Sequence, residues 1–307
     1  MDIAIYLLSF FLIWQGSSLV VGSISKLAHK LNLSTFSVSF FVLGFLTSLP
    51  EIMVGLNSVI GGKPEIFVGN LLGGTLALFI FVIPLLAVFG NGLSLRHELN
   101  EKHLLVALVV ILAPAFLILD NSAVIFDGLV LVSLYALLFY ILERGGQKIT
   151  NPSDGHSFHW IKDVAKIVFG ITLVVVSSYL LVDKTVYFAK VLGLSPFIIS
   201  FIIVALGTNL PELALVARAA ISGHKDIAFG DFLGSAVANS LIMGVMIIFN
   251  RGDIVIPTNF FMQFIFIFGG IALFYYFSRS HQDISRREGL ILLAVYVIFL
   301  AVQLWNR

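Results

Sequence analysis

Two stretches decide how this sequence reads: GFLTSLPE at residues 44–51 and ALGTNLPE at residues 205–212. Each places a proline and then a glutamate inside a long apolar run. Proline withdraws a backbone donor and pushes aside the carbonyl four residues earlier. The carbonyls released lie around Leu46–Thr47 and Gly207–Thr208. Facing hydrocarbon they would be strongly unfavourable, so protein, water or a cation must receive them. A mid-run glutamate carries the same implication, and two equivalent ones point to an ion site more than to a kinked helix with a protonated acid.

The two stretches are copies of each other. Glu51 and Glu212 stand 161 residues apart, and that offset, without a gap, lays Leu33-Ser34 on Leu194-Ser195, Phe36 on Phe197 and Ser39-Phe40 on Ser200-Phe201. It continues through Thr47 on Thr208, Gly62 on Gly223, Gly69 on Gly230, Leu72-Gly73 on Leu233-Gly234 and Ala77 on Ala238. Apolar composition explains matched leucines and phenylalanines. It does not explain TxLPE and GxxLG appearing twice at one spacing.

The surrounding composition sets the medium. Of 307 residues 59% are hydrophobic and 11% charged, and mean hydropathy is +1.05; soluble domains carry about 25% charged residues. With 18 basic against 17 acidic residues the chain offers no field for nucleic acid. The absence of cysteine excludes disulfide frameworks and thiolate metal sites. Apolar runs of bilayer-spanning length are read at 3–22, 34–60, 66–90, 103–120, 124–142, 163–183, 195–221, 226–249, 258–278 and 288–305. They lack period-2 alternation, so they are expected to be helices and not barrel strands. Asp2 precedes the first run with no basic leader or cleavage site, which favours a retained helix.

The expected fold is an all-α polytopic membrane protein of ten transmembrane helices. Residues 1–142 form one five-helix repeat, 143–162 a cytoplasmic linker and 163–307 a second repeat. An odd number of spans per repeat inverts the second copy relative to the first, an architecture typical of secondary transporters. With the N-terminus outside, twelve Lys and Arg fall on cytoplasmic loops, including Arg144, Lys148 and Lys162, against five on the outer side. This predicts both termini outside. The polar linker ERGGQKITNPSDGHSFHWIK is too short for a folded regulatory domain.

Each Pro-Glu pair should present carbonyl oxygens, a Thr hydroxyl and a carboxylate within one turn, hard ligands suited to calcium or sodium. Glycines at 69, 73, 230 and 234 suit close helix packing. Ser235 and Asn239 share one helix face and are better ligand candidates. Asp231, one turn earlier, either joins the site, caps its helix or faces a vestibule. Asp183 and Lys184 read as a span end. The seven histidines (29, 97, 103, 156, 159, 224 and 281) show no ligand spacing, and nucleotide and nucleophile motifs are absent. The expectation is therefore a transporter driven by ion gradients, not an enzyme, and without a cofactor.

The paired TSLPE and TNLPE segments, each followed by a G(N/D)xxG helix, resemble the alpha-repeats of the calcium/cation antiporter superfamily typified by sodium/calcium exchangers. The resemblance spans essentially the whole chain. It implies ten helices in two inverted halves, with the first and sixth sliding across a core that holds the site. It implies a central calcium site from Glu51, Glu212 and the carbonyls of Thr47 and Thr208. Ser48, Asn209, Ser235 and Asn239, with backbone at Gly44 and Ala205, fall where the family places sodium-related or central ligands. Departures are Gly74 for Ser, Leu78 for Asn, Asn209 for Ser, Asn239 for an acid and Leu46 for Gly. The implied activity is calcium export in exchange for sodium or protons across a prokaryotic inner or plasma membrane. The alternatives are a cation channel, an antiporter with another cation or coupling ion, or a degenerate non-transporting relative.

Overall fold

A computed structural model describes residues 2–30, 47–94, 101–144, 160–222, 225–280 and 283–305. The first half runs through α1 (Asp2–Lys30), α2 (Leu49–Ile60) and α3 (Glu65–Ala77), which a π-helical turn (Leu78–Val82) joins to α4 (Ile83–Phe89). The strand β1 (Leu93–Ser94), α5 (Glu101–Leu117), β2 (Ser122–Ala123) and α6 (Ile125–Arg144) follow. The second half opens with α7 (Trp160–Leu192) and α8 (Pro196–Ile199), then a π-helical turn (Ser200–Val204), α9 (Ala205–Thr208) and α10 (Leu210–Ser222). It closes with α11 (Lys225–Asn250), β3 (Ile254–Val255), α12 (Phe261–Ser280), β4 (Asp283–Ile284) and α13 (Arg286–Trp305).

Among the described residues six helices are long and apolar enough to cross a bilayer, and the bent pair Pro196–Thr208 and Leu210–Ile221 makes a seventh. The other expected spans meet specific obstacles. Positions 34–46 and the linker core 145–159 lie outside the described residues. The helix at Lys102–Leu117 is apolar but short. The first turn of α13 carries Arg286, Arg287 and Glu288.

Elements of the first half recur in the second at the offset of 161. Shifted by that amount β1 becomes β3, β2 becomes β4 and α6 becomes α13, residue for residue. The strands pair across the halves, antiparallel, β1 with β4 and β2 with β3. Leu93 faces Ile284 and Ala123 faces Ile254, and the offset carries one pairing onto the other.

Packing puts α3 at the centre: every residue from Ile66 to Ala77 is buried, as a helix apolar on all sides requires. Its Gly69 and Gly73 rest directly on the backbone of the second π-helical turn. A Cβ on Gly69 would stand 2.5 Å from the Phe197 carbonyl oxygen, and one on Gly73 would overlap the Phe201 backbone. Beside them the Ser200 hydroxyl donates to the Ile66 carbonyl at 2.5 Å. Glycine also permits the crossing of α1 over α7, where a Cβ on Gly16 or Gly170 would lie 2.7 Å from the other's carbonyl oxygen. Exposed Ile3, Leu7 and Phe11 on α1 and Val168, Phe169 and Val176 on α7 form outward apolar faces, suited to hydrocarbon.

The helix α7 continues past Asp183 and Lys184 to Leu192. Lys184 is held by Asp2 at 3.0 Å and by Asp183 at 3.3 Å, and the neighbouring Thr185 hydroxyl meets the Tyr6 hydroxyl at 3.0 Å.

Gly73→Ala is expected to lower the thermal midpoint of the detergent-solubilised protein, at about 1–3 kcal/mol for overpacking against backbone. Gly269→Ala is the control, since nothing lies within 4 Å of a Cβ there.

Candidate functional site

The two quoted stretches form matched helix breaks. The chain leaves helical geometry at Ser48 (φ −80°, ψ 15°) and at Asn209 (φ −86°, ψ 14°), residues that correspond under the 161 offset. At the second break the flanking segments bend by 42°. Pro50 and Pro211 then fall in the first turns of α2 and α10, where a missing N–H costs nothing. The new helices start from the Ser48 carbonyl, which accepts from the Ile52 amide at 3.1 Å, and the Asn209 carbonyl, which accepts from the Leu213 amide at 3.1 Å. Glu51 and Glu212 stand in these first turns, where the helix dipole favours a carboxylate.

Both carboxylates are sealed from solvent, each residue 2% exposed. Oε2 of Glu51 and both oxygens of Glu212 have no hydrogen-bond partner. Among the described residues eight buried side-chain polar atoms lack one. Six of them belong to Glu51, Glu212, Asn70, Asp231 and Asn239. Buried polar groups are almost always satisfied, so orphans concentrated here mark a place where a ligand belongs.

Facing groups come from α3 and α11. The Thr208 hydroxyl donates to Asn70 Oδ1 at 3.1 Å and also reaches the Glu51 carboxylate. The Thr47 hydroxyl lies near the Asp231 carboxylate. Ser48 and Ser235 bring their hydroxyls to 3.3 Å. Asn209 turns its amide back and donates to the Ala205 carbonyl at 2.7 Å. A Cβ on Gly74 would lie 3.1 Å from Asn209 Nδ2 and 3.6 Å from Asn239 Nδ2.

These contacts come in offset pairs: Thr208–Asn70 corresponds to Thr47–Asp231, and Asn209–Gly74 to Ser48–Ser235. The halves therefore build one scaffold with different chemistry. Asn70 is matched by an acid, and a hydroxyl pair is matched by an amide over a glycine. Glu212 lies within electrostatic reach of both Glu51 and Asp231. Among the described residues no three of His, Asp and Glu converge closely enough to hold a metal by themselves, so a cation here needs hydroxyl and carbonyl oxygens as well.

Thr47, Ser48, Glu51, Ala205, Thr208, Asn209, Glu212, Asp231, Ser235 and Asn239 all fall on the elements that meet at the two breaks. Gly44 lies outside the described residues. The sequence alone gives Asn70 no role, although its correspondence with Asp231 under the 161 offset was the available signal.

Similarity to known proteins agrees with this architecture. The model of the sodium/calcium exchanger protein family matches residues 1–142 and 163–305. The chain belongs to the sodium/calcium exchanger family: membrane antiporters that move cations, a transporter class and not a catalytic one. The sodium/calcium exchanger MaX1 of Methanosarcina acetivorans is 24% identical over 341 residues, covering 97% of each chain. A membrane protein of Methanocaldococcus jannaschii is 27% identical over 302 residues, covering 98% of this chain and 97% of its own. The sodium-calcium exchanger NCX_Mj, soaked with sodium and strontium, superposes with a TM-score of 0.68 at 26% identity, covering 98% of this chain and 97% of its own.

Thr208→Val is expected to lower thermal stability by about 1–3 kcal/mol, because it strips Asn70 of its buried partner. Thr208→Ser keeps the hydroxyl and should restore most of the loss in the same unfolding assay.

Proposed function

We propose that this chain exports calcium from the cytoplasm in exchange for sodium or protons, with Glu51 and Glu212 as the shared binding groups. The observation that carries the reading is the pair of matched helix breaks, each ending in a buried carboxylate with partnerless oxygen. Two carboxylates neutralise one divalent ion. The carbonyls of Thr47 and Thr208, at the breaks, supply further hard oxygen ligands. Without calcium the same two acids accept monovalent cations, so the two loads exclude each other at the carboxylates. Exchange follows if the empty carrier does not readily reorient, since two adjacent buried charges without a cation are strongly unfavourable.

The architecture behind this proposal is ten crossings in two inverted repeats, 1–142 and 163–307, joined by the cytoplasmic linker 143–162. Recurrence of elements at one offset and the exchange-related strand pairs support it. Such pseudosymmetry makes outward-open and inward-open arrangements close alternatives, in which the halves trade roles. The outer ends of the first and last helices are placed outside the cell, in a prokaryotic inner or plasma membrane.

In proteoliposomes, calcium uptake against separately imposed sodium and proton gradients tests the function. Wild type should take up calcium only with an outward gradient of the coupling ion, and Glu51→Gln or Glu212→Gln should reduce uptake by about a hundredfold or more, as expected for breaking a buried charge set. Passive flux with no counter-ion dependence would instead indicate a channel. Topology is accessible because the chain has no cysteine. A single cysteine at Asp2 should react with an impermeant maleimide on intact cells, whereas one at Lys148 should react only after permeabilisation.

A further inference from the structure

The two breaks are covered differently, and the difference begins on α1. Gly207 stands four residues before Pro211, which has no N–H to give its carbonyl. A Cβ on Gly207 would overlap Cδ1 and Cε1 of the Phe10 ring. Phe10 is buried in one apolar cluster with Val204, and Leu210 packs against that cluster. Gly207 and Thr208 are buried beneath it. The ring thus fills a notch that exists because residue 207 lacks a side chain.

The ring is anchored from α7. Tyr6, one turn earlier on α1, meets Phe10 edge-on with centroids 5.0 Å apart and meets Phe188 at 5.2 Å. Its hydroxyl reaches that of Thr185 at 3.0 Å. None of these residues recurs at the offset of 161. Gly207 corresponds to Leu46, Phe10 to Ile171, Tyr6 to Ile167 and Thr185 to Ile24. Ile171, where the ring would be, is 38% exposed. The first break has a residue with a side chain of its own, whereas the second borrows a ring from another helix.

We infer that Phe10 is a plug for the second break. Seated on Gly207, it keeps water from the turn that leads to Glu212, and a cation passes that break only when the ring leaves the notch. What the plug guards rests on the cation site proposed above; whether it seals does not. Excluding water strengthens the attraction between a carboxylate and a cation. It also denies ions a wet path past the break, along which they would run down their gradients without exchange. Truncating the ring leaves a cavity bordered by backbone carbonyls, polar enough for water to enter.

The test places a single thiol at Val204→Cys, a buried member of the Phe10 cluster, in a chain that otherwise has none. In proteoliposomes a water-soluble methanethiosulfonate should label this protein slowly. Adding Phe10→Ala should speed labelling about tenfold or more. Gly207→Ala expels the ring without removing it and should act alike, while the two changes together should be no faster than Phe10→Ala alone. Phe10→Leu keeps much of the apolar volume, so it should give a smaller rise and carries the test if Phe10→Ala does not fold. Ile13→Ala is the control for loosened packing: Ile13 is a buried residue of the same helix and cluster, but the atoms nearest a Cβ on Gly207 belong to Phe10. It should leave labelling at the background rate. Equal acceleration by Ile13→Ala, or none by the Phe10 and Gly207 variants, overturns the plug. In transport, Phe10→Ala should add calcium flux that needs no counter-ion gradient. Accelerated labelling in a protein whose wild type moves no calcium upholds the plug, and it is then the calcium reading that fails.

Discussion

Everything in this molecule is arranged around two buried carboxylates, three of whose four oxygens have no hydrogen-bond partner. An unpaired buried charge is among the least favourable features a fold can carry, so the scaffold that maintains it must be specific. Here the specificity lies in backbone more than in side chains. At Ser48 and Asn209 the chain departs from helical geometry at nearly the same angles, and the following proline fixes where the next helix begins. The glutamate then sits one position later, in the first turn, without any choice of loop conformation to place it elsewhere.

Holding those breaks still is the task of α3 and α11. A helix break exposes carbonyls and weakens the segment that contains it, so it must be pressed against something rigid. The all-buried α3 does this on the second half through glycines that bring backbone onto the turn Ser200–Val204. The same helix supplies Asn70 to the Thr208 hydroxyl. Close packing and polar positioning therefore come from one surface: with any side chain at Gly73 the helix would stand off, and Asn70 would no longer reach Thr208. Packing glycines and polar ligands are one device, not two features that happen to be neighbours.

Much of this was legible in the sequence, and the reasons differ by element. TxLPE repeated at one offset announced both breaks and both acids, because proline frees carbonyls and glutamate adds a carboxylate where hydrocarbon can solvate neither. The long helices followed from length and apolar content alone. The strand pairs were not foreseen: two residues cannot show an alternation, and Leu93 finds Ile284 only after the halves have assembled. The π-helical turns at 78–82 and 200–204 were equally silent, since LFIFV and SFIIV read as ordinary apolar helix. That α7 runs on past Asp183-Lys184 to Leu192 was not foreseen, because two adjacent charges carry no signal for continued helix. The roles of Asn209 and Asn70 needed partners, which a linear reading does not supply.

Duplication with divergence also explains why the site is lopsided. A symmetric pair of repeats would give equal groups on both sides of the carboxylate pair, and any ion order would then be arbitrary. In this chain the positions corresponding under the offset differ in kind: Asn70 against Asp231, Gly74 against Ser235, Asn209 against Ser48. The backbone scaffold persists through each exchange, since the two breaks keep nearly the same angles. What changes is where negative charge accumulates. Charge biased toward α11 makes the two faces of the carboxylate pair unequal. Divergence of this kind alters the surroundings of Glu51 and Glu212 while both acids are kept, and it is open to the chain only because the fold is fixed by the breaks and not by the residues around them.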